Sequence, residues 1–224
     1  MSAAFRYSVM IATKDRPREL KRCLRRVERQ SPAPEEVLIL DDGDLSESTV
    51  RGWLGSLGDR VKVVKKEMPG VVSSYNRGAE LAASPWLLSL DDDIYLSSSF
   101  VERVRRVIDC HRAEKELGAV IGYPVQHISA KISWRGKVRR SLDALFLLGG
   151  GLEGRFLASS FCTDFGRGHF PGHPYRVAHV PAGLVMWRTD VLRRFRFDPV
   201  FEGYAYAADK EVGLRVSREY HIVC

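Results

Sequence analysis

The chain has 224 residues, 45% of them hydrophobic and 28% charged, which is the composition of one large globular domain with a real core. No run approaches the roughly 18 to 20 apolar residues of a membrane span, and MSAAFRYSVMIATKDR lacks the charged start and long apolar centre of a signal peptide. The formal net charge of +7 favours anionic partners (nucleotides, nucleic acids or anionic lipid headgroups) without choosing among them.

Phe5 to Ala12 reads as an apolar first strand. Arg16 to Gln30 follows as a helix with the apolar stripe Leu20, Cys23, Leu24 and Val27, broken by Ser31-Pro32-Ala33-Pro34. Val37 to Leu40 is a buried strand ending at Asp41-Asp42-Gly43. Ser46 to Leu57 fits a helix and Arg60 to Lys65 a strand. Val72 to Ala83 is a second long helix, and Trp86 to Leu90 a strand that ends at Asp91-Asp92-Asp93. Ser97 to Leu117 is expected to be a long amphipathic helix and Ala119 to Val125 a strand. The alternation implies a parallel sheet covered by helices with right-handed crossovers. From Gln126 to Val177 the pattern weakens around several glycine and proline breakers, and order returns at Val177 to Val180 and Val185 to Phe195. Tyr220 to Cys224 looks like an unfinished strand, so the native protein is expected to continue beyond it. Cys23, Cys110, Cys162 and Cys224 are scattered without C-x-x-C pairing, which points to reduced thiols in a cytosolic protein.

Three adjacent aspartates at the end of an apolar run repel each other and resist burial. They persist most easily beside a hard cation such as Mg²⁺ or Mn²⁺, although Asp93 or a following serine can also cap the next helix. Parallel strands put Asp91 to Asp93 on the same sheet edge as Asp41 and Asp42, and Thr13, Asp15 and Arg16 reach that edge from the first strand. This is where α/β sheets bind ligands. The set suits a nucleotide plus a divalent metal: acids for base or ribose hydrogen bonds, arginine for phosphate. No G-x-x-x-x-G-K-[ST] occurs, and no G-x-G-x-x-G follows the first strand, so a P-loop NTPase and a dinucleotide site are disfavoured.

Several segments resemble the family 2 glycosyltransferases of the GT-A fold. Ser8 to Pro17 resembles their opening "SVVIPTYNRP", and Val37 to Gly43 resembles "VIVVDDG". Pro69 to Gly78 resembles "PGVSAARNRG", and Leu90 to Ile94 the D-x-D segment. Phe197-Asp198-Pro199 and Tyr204 to Arg215 resemble "FDE" and "YGYGEDVDLGYR". The matches fall in family order across nearly the whole chain. The resemblance implies a single Rossmann-like α/β domain, its central, mostly parallel sheet flanked by helices, with an irregular acceptor-side insertion. Residues 1–125 would form the nucleotide-sugar-binding half, and residues 126–224 the acceptor-binding and catalytic-base half.

It also implies roles. Asp42 would meet the base with Asp41 close behind, and Thr13, Asp15 and Arg16 would line the nucleotide and diphosphate pocket. Asp91 would approach the ribose or a metal water, Asp92 the sugar, and Asp93 would hold Mn²⁺ or Mg²⁺ on the diphosphate. Asn76 and Arg77 would line the donor pocket, with a structural helix-terminal role for Asn76 the alternative. Asp209 would be the catalytic base, so transfer of one sugar from a UDP, GDP or dTDP donor to a glycan or lipid-linked hydroxyl would invert the anomeric centre. Ala208 stands where the family usually has Glu. That departure keeps a non-catalytic nucleotide-sugar binding module as the alternative, and Glu211 is a back-up base or a helix-surface residue. The missing Q-x-x-R-W disfavours a processive synthase.

Other features stay secondary. His127, His169, His173 and His179 lack metal-ligand spacing and read as loop or surface residues. Trp134 and Trp187 suit sugar stacking or core packing. Trp134 to Leu148 joins a basic cluster to an apolar run. It reads either as a core helix with a solvated basic end or as peripheral contact with an anionic membrane, at its cytoplasmic face. No nucleic-acid motif is present, so nucleic acid is not an expected partner.

Overall fold

The computed structural model describes residues 4–66, 68–111, 116–122, 134–146, 154–159, 162–163, 173–181, 183–203 and 205–224. The apolar runs become β1 (Tyr7–Thr13), β2 (Glu36–Asp41), β3 (Val61–Lys65) and β4 (Trp86–Asp91). They pair in parallel in the order β3-β2-β1-β4. Val9, Ile11, Val37, Ile39, Leu88 and Leu90 face one core, while Met10, Leu38, Leu40 and Leu87 face the other. Burial on both faces explains why β1, β2 and β4 read as continuous apolar runs, whereas edge strand β3 is only partly buried.

The first core is covered by α1 (Pro17–Val27), α2 (Glu47–Arg51) and α4 (Phe100–Cys110). The second is covered by α3 (Val71–Leu81), α6 (Thr189–Phe195) and α7 (Ala208–Ser217). Helix α2 is shorter than the reading of Ser46 to Leu57, ending at Arg51 with Gly52 as its C-cap. Ser46 caps its start, accepting a hydrogen bond from the Thr49 N–H at 3.2 Å. Helix α4 is likewise shorter than expected, and Leu117 instead opens β5 (Leu117–Ile121). Ser99 occupies the N-cap of α4 without a side-chain bond. The cap comes from Gln30, whose Oε1 accepts from the Val101 N–H at 3.1 Å while its Nε2 donates to the Ser97 carbonyl at 2.9 Å. The serine caps expected for this helix are therefore replaced by a buried glutamine from the end of α1.

The main correction to the strand alternation lies beyond β4. Strand β7 (Leu184–Arg188) inserts antiparallel between β4 and β5. Past β5 lie β8 (His221–Val223), parallel to it, and β6 (Arg176–Val177), antiparallel to β8. The sheet is mixed, with order β3-β2-β1-β4-β7-β5-β8-β6. The terminal apolar run is thus a strand inside the sheet. Within the middle segment, α5 (Trp134–Leu145) is a helix. Among the described residues no helix is long and apolar enough to cross a membrane.

Candidate active site

The ladder registers Thr13 with Asp41, Ala12 with Asp91 and Asp41 with Lys65, so four strand ends bring their polar residues to one edge. The three aspartates leave that edge in different directions. Asp91 ends β4 and turns toward α3, where the Tyr75 hydroxyl donates to its Oδ1 at 3.0 Å. Its N–H donates to the Gly183 carbonyl at 3.0 Å. Gly183 has φ +89°, and a Cβ there would lie 2.1 Å from Asp91 Oδ2, so only glycine fits. Asp92 is buried and accepts from Thr13 Oγ1 at 2.7 Å and from Arg16 Nη1 at 2.7 Å. The second arm of Arg16 reaches Asp93 Oδ2 at 2.9 Å, so one guanidinium forks across two carboxylates.

Burial pushes the Asp91 carboxyl above the usual range; the Tyr75 bond opposes this, and Asp93 and Asp92 add to it. Burial also raises Asp92, against the Thr13 bond and the Arg16 charge. Cys23, beneath the triplet, has its thiol pushed up to about 12 by burial and the three negative neighbours.

The second acidic pair is held by lysines. Asp41 accepts from the N–H groups of Gly43 and Leu45, each at 3.0 Å, and from Lys65 at 2.5 Å. Asp42 pairs with Lys66 at 2.8 Å and accepts from the Gly70 N–H at 2.8 Å, at the start of α3. The Lys66 side chain is only 2% exposed, so its charge rests on Asp42, the Gly70 carbonyl and Ser74. Asp15 adopts φ 55°, a left-handed conformation that aspartate tolerates, and its carboxylate crowds Gly43.

A cleft of about 310 Å³ opens between these loops, with Lys14, Val71 and Ser74 completing its walls. It gathers Thr13, Arg16, Asp42, Asp91, Asp92 and Asp93 from the sequence-derived set. Asp15, Asp41, Asn76 and Arg77 do not line it. Asp41 is consumed in its own turn, and exposed Arg77 pairs with Glu80 at 3.2 Å. Asn76 Nδ2 donates to the Phe197 carbonyl and its Oδ1 accepts from the Phe197 N–H, both at 2.8 Å. This tether is structural, but Asn76 sits in the middle of α3 and not at the helix N-terminus where the alternative reading had it.

Asp209 sits in the first turn of α7, after Ala207 at φ 65°. Burial, then Asp91, then Asp209 hold the Tyr75 hydroxyl protonated. Tyr75, stacked on Phe197 at 4.8 Å between ring centroids, therefore donates to the cleft carboxylate Asp91 and feels the charge of Asp209. Ala208 is buried among apolar side chains. Glu211 pairs with Arg215 one turn further on, the helix-surface role.

His179 is buried with Nε2 3.1 Å from the Thr163 carbonyl, and burial lowers its pKa. His173 is exposed, while His127 and His169 lie outside the described residues. Trp187 packs in the core, and Trp134 is 71% exposed. Sequence reasoning did not single out Lys66, Tyr75 or Gly183 as site residues. A lysine directly after β3, at the edge carrying two acidic loops, was the available signal for Lys66. Nothing local marked Tyr75, whose partners lie 16 and 122 positions away, at the end of β4 and in the loop after α6.

Residues 8–146 match the model of Glycosyl transferase family 2, and the chain belongs to that family. A stretch of 103 residues is 39% identical to validoxylamine A glucosyltransferase of Streptomyces hygroscopicus subsp. limoneus, covering 43% of this chain and 22% of that protein. Another of 97 residues is 32% identical to a PGL/p-HBAD biosynthesis glycosyltransferase of Mycobacterium tuberculosis (strain ATCC 25177 / H37Ra), covering 42% of this chain and 38% of that one. The matches thus span well under half of either relative. Mannosyltransferase PcManGT of Pyrobaculum calidifontis, solved with GDP-Man and Mn²⁺, superposes with TM-score 0.58 at 14% identity over 98% of this chain and 55% of that one. GalNAc-T7, solved with UDP, GalNAc and Mn²⁺, gives 0.64 at 13% over 100% and 43%. At these identities the likeness is one of fold, that of the GT-A glycosyltransferases.

Proposed function

We propose that the protein is an inverting, metal-dependent glycosyltransferase that moves one sugar from a nucleotide-diphospho-sugar to a hydroxyl of a glycan or lipid-linked acceptor. The observation that carries this reading is the cleft itself: three carboxylates and a forked arginine line it, and Tyr75 is bonded to one of them, Asp91. Family membership and the GT-A fold support it.

Carboxylates suit a hard cation, and Asp91 and Asp93 both line the cleft. Among the described residues no three ligating side chains converge, so the donor diphosphate would complete the coordination. Bound there, Mn²⁺ or Mg²⁺ would neutralise charge on the departing nucleoside diphosphate. Thr13, Lys14 and Arg16 would orient the diphosphate beside Asp42 and α3. Asp209 would take the proton from the acceptor hydroxyl as its oxygen bonds to the anomeric carbon and the bond to the diphosphate oxygen breaks. Attack opposite the leaving group inverts the centre. Peripheral membrane contact through α5 belongs to this reading, supported by the exposed Trp134, Val138, Leu142, Leu145 and Phe146 and by four basic residues in the same stretch.

The buried Ala208 favours a second reading, a module that binds nucleotide-sugar without turnover. Donor hydrolysis separates the two. In Asp209→Asn we expect kcat to fall about 10²- to 10⁴-fold, the usual share of a general base, with donor KM within a few-fold. Unchanged hydrolysis would remove Asp209 from the mechanism, and no hydrolysis in the parent protein, with nucleotide still bound, would favour the module.

A further inference from the structure

A second concavity, of about 500 Å³, lies on the α1 side of the aspartate triplet. Its basic wall is Arg22, Arg25 and Arg26 of α1 with Arg29 from the following turn, and its far wall is Asp93 and Tyr95. The spacing i, i+3, i+4, i+7 puts the four arginines on one face, opposite the buried stripe of Leu20, Leu24 and Val27. Like charges at this spacing disfavour a helix. Glu19, one turn before Arg22 on α1, also lines the concavity and offsets part of this charge. The other acids nearby are engaged: Asp92 and Asp93 are taken by Arg16, and Glu28 accepts from the Gly55 N–H at 2.7 Å. Among the described residues none of the four arginines forms an ion pair with a carboxylate.

One of them is held in a defined pose. The Arg26 guanidinium lies 3.8 Å from the centroid of Tyr95, which is itself 72% exposed. A guanidinium stacked by its face keeps its edge N–H groups available for hydrogen bonds, and that fork matches the oxygens of a phosphate. The concavity ends at Asp92 and Asp93, which also line the donor cleft. Arg16 offsets both carboxylates at that junction, so an anion in the groove does not face them uncompensated.

We infer that this arginine groove is a second anion site, which holds the phosphate group of the acceptor beside the donor cleft. The acceptor is then a phosphate-bearing molecule and not a neutral glycan. The inference rests on the glycosyl-transfer reading for the word acceptor, and on the groove alone for the phosphate.

Calorimetry in metal-free buffer tests it with inorganic pyrophosphate and with a short-chain alkyl diphosphate below its micelle concentration. Arg25→Glu/Arg26→Glu should weaken both at least tenfold, while the same reversal on α4, Arg103→Glu/Arg106→Glu, should leave both within twofold. Tighter binding of the alkyl diphosphate points to a lipid-borne phosphate, and equal binding to a soluble one. Three results overturn the proposal: no pyrophosphate binding, equal losses in both double variants, or a single-stranded oligonucleotide binding the groove more tightly than either diphosphate. Metal-dependent nucleotide binding is measured on the same samples. If it persists while the groove binds nothing, this inference fails and the transferase reading stands. If it is absent while the arginine-dependent binding remains, the phosphate site stands and the acceptor assignment falls.

Discussion

Asp91 is a carboxylate held where its charge is disfavoured. Its folded pKa lies above the unfolded value, so the native state binds this proton more tightly than the unfolded chain does. Stability is therefore lowered at neutral pH, and the penalty is relieved as pH falls through the folded pKa toward the unfolded value near 3.9. Asp91→Asn keeps an oxygen for the Tyr75 hydroxyl and removes the charge. We expect its Tm to exceed the parent's at pH 7, the gain to shrink toward pH 4, and metal-dependent nucleotide binding to be lost. Scanning fluorimetry at the two pH values checks the sign, and a lower Tm at pH 7 would refute this view of Asp91. The triplet was legible in the sequence because three charges ending the run Trp86 to Leu90 contradict burial. Its division of labour was not, since which carboxylate meets Tyr75 and which meets Thr13 follows from the pleat and from residues far along the chain.

Elements are tied across the sheet ends by a few side chains. Asn76 on α3 makes two hydrogen bonds to the Phe197 backbone, 121 positions away, and the neighbouring Tyr75 stacks on the Phe197 ring. Asn76→Ala strands a buried carbonyl and a buried N–H. A cost of about 1–3 kcal/mol for each unsatisfied group would lower Tm by roughly 2–4 °C per kcal/mol in a domain of this size. We also expect activity below Tm to fall, because Tyr75 loses the surface that fixes its ring. A Tm within 1 °C of the parent's would sink this account. The strands β1, β2 and β4 and the helices α1 and α3 were readable from period and breakers. Strand β7 was not placed, because a run of five apolar and polar residues leading directly into α6 carries no mark of its neighbours or direction. Helix α4 was overextended because the periodicity continues toward Leu117, which a β5 ladder claims instead.

Over the whole molecule, the net charge of +7 and the α5 face bear on where the protein works. Trp134, Val138, Leu142, Leu145 and Phe146 are 50% to 73% exposed, beside Arg135, Lys137, Arg139 and Arg140 in sequence. We expect flotation with vesicles containing anionic lipid, at low salt, and none with neutral vesicles. Leu142→Glu/Leu145→Glu should abolish it, and absence of flotation on both vesicle types would remove α5 as a membrane contact. The fold class was legible because alternating strands and helices admit few arrangements. The sheet's mixed order was not, and it governs how the protein is made. Both neighbours of β5, β7 and β8, follow it in the chain, whereas β1 to β4 find their mutual partners early. A ribosome therefore completes the aspartate edge long before it delivers Gly183, which seats Asp91, or Asp209. During synthesis β5 waits with both edges bare, and the nascent protein has its acidic edge before it has its base.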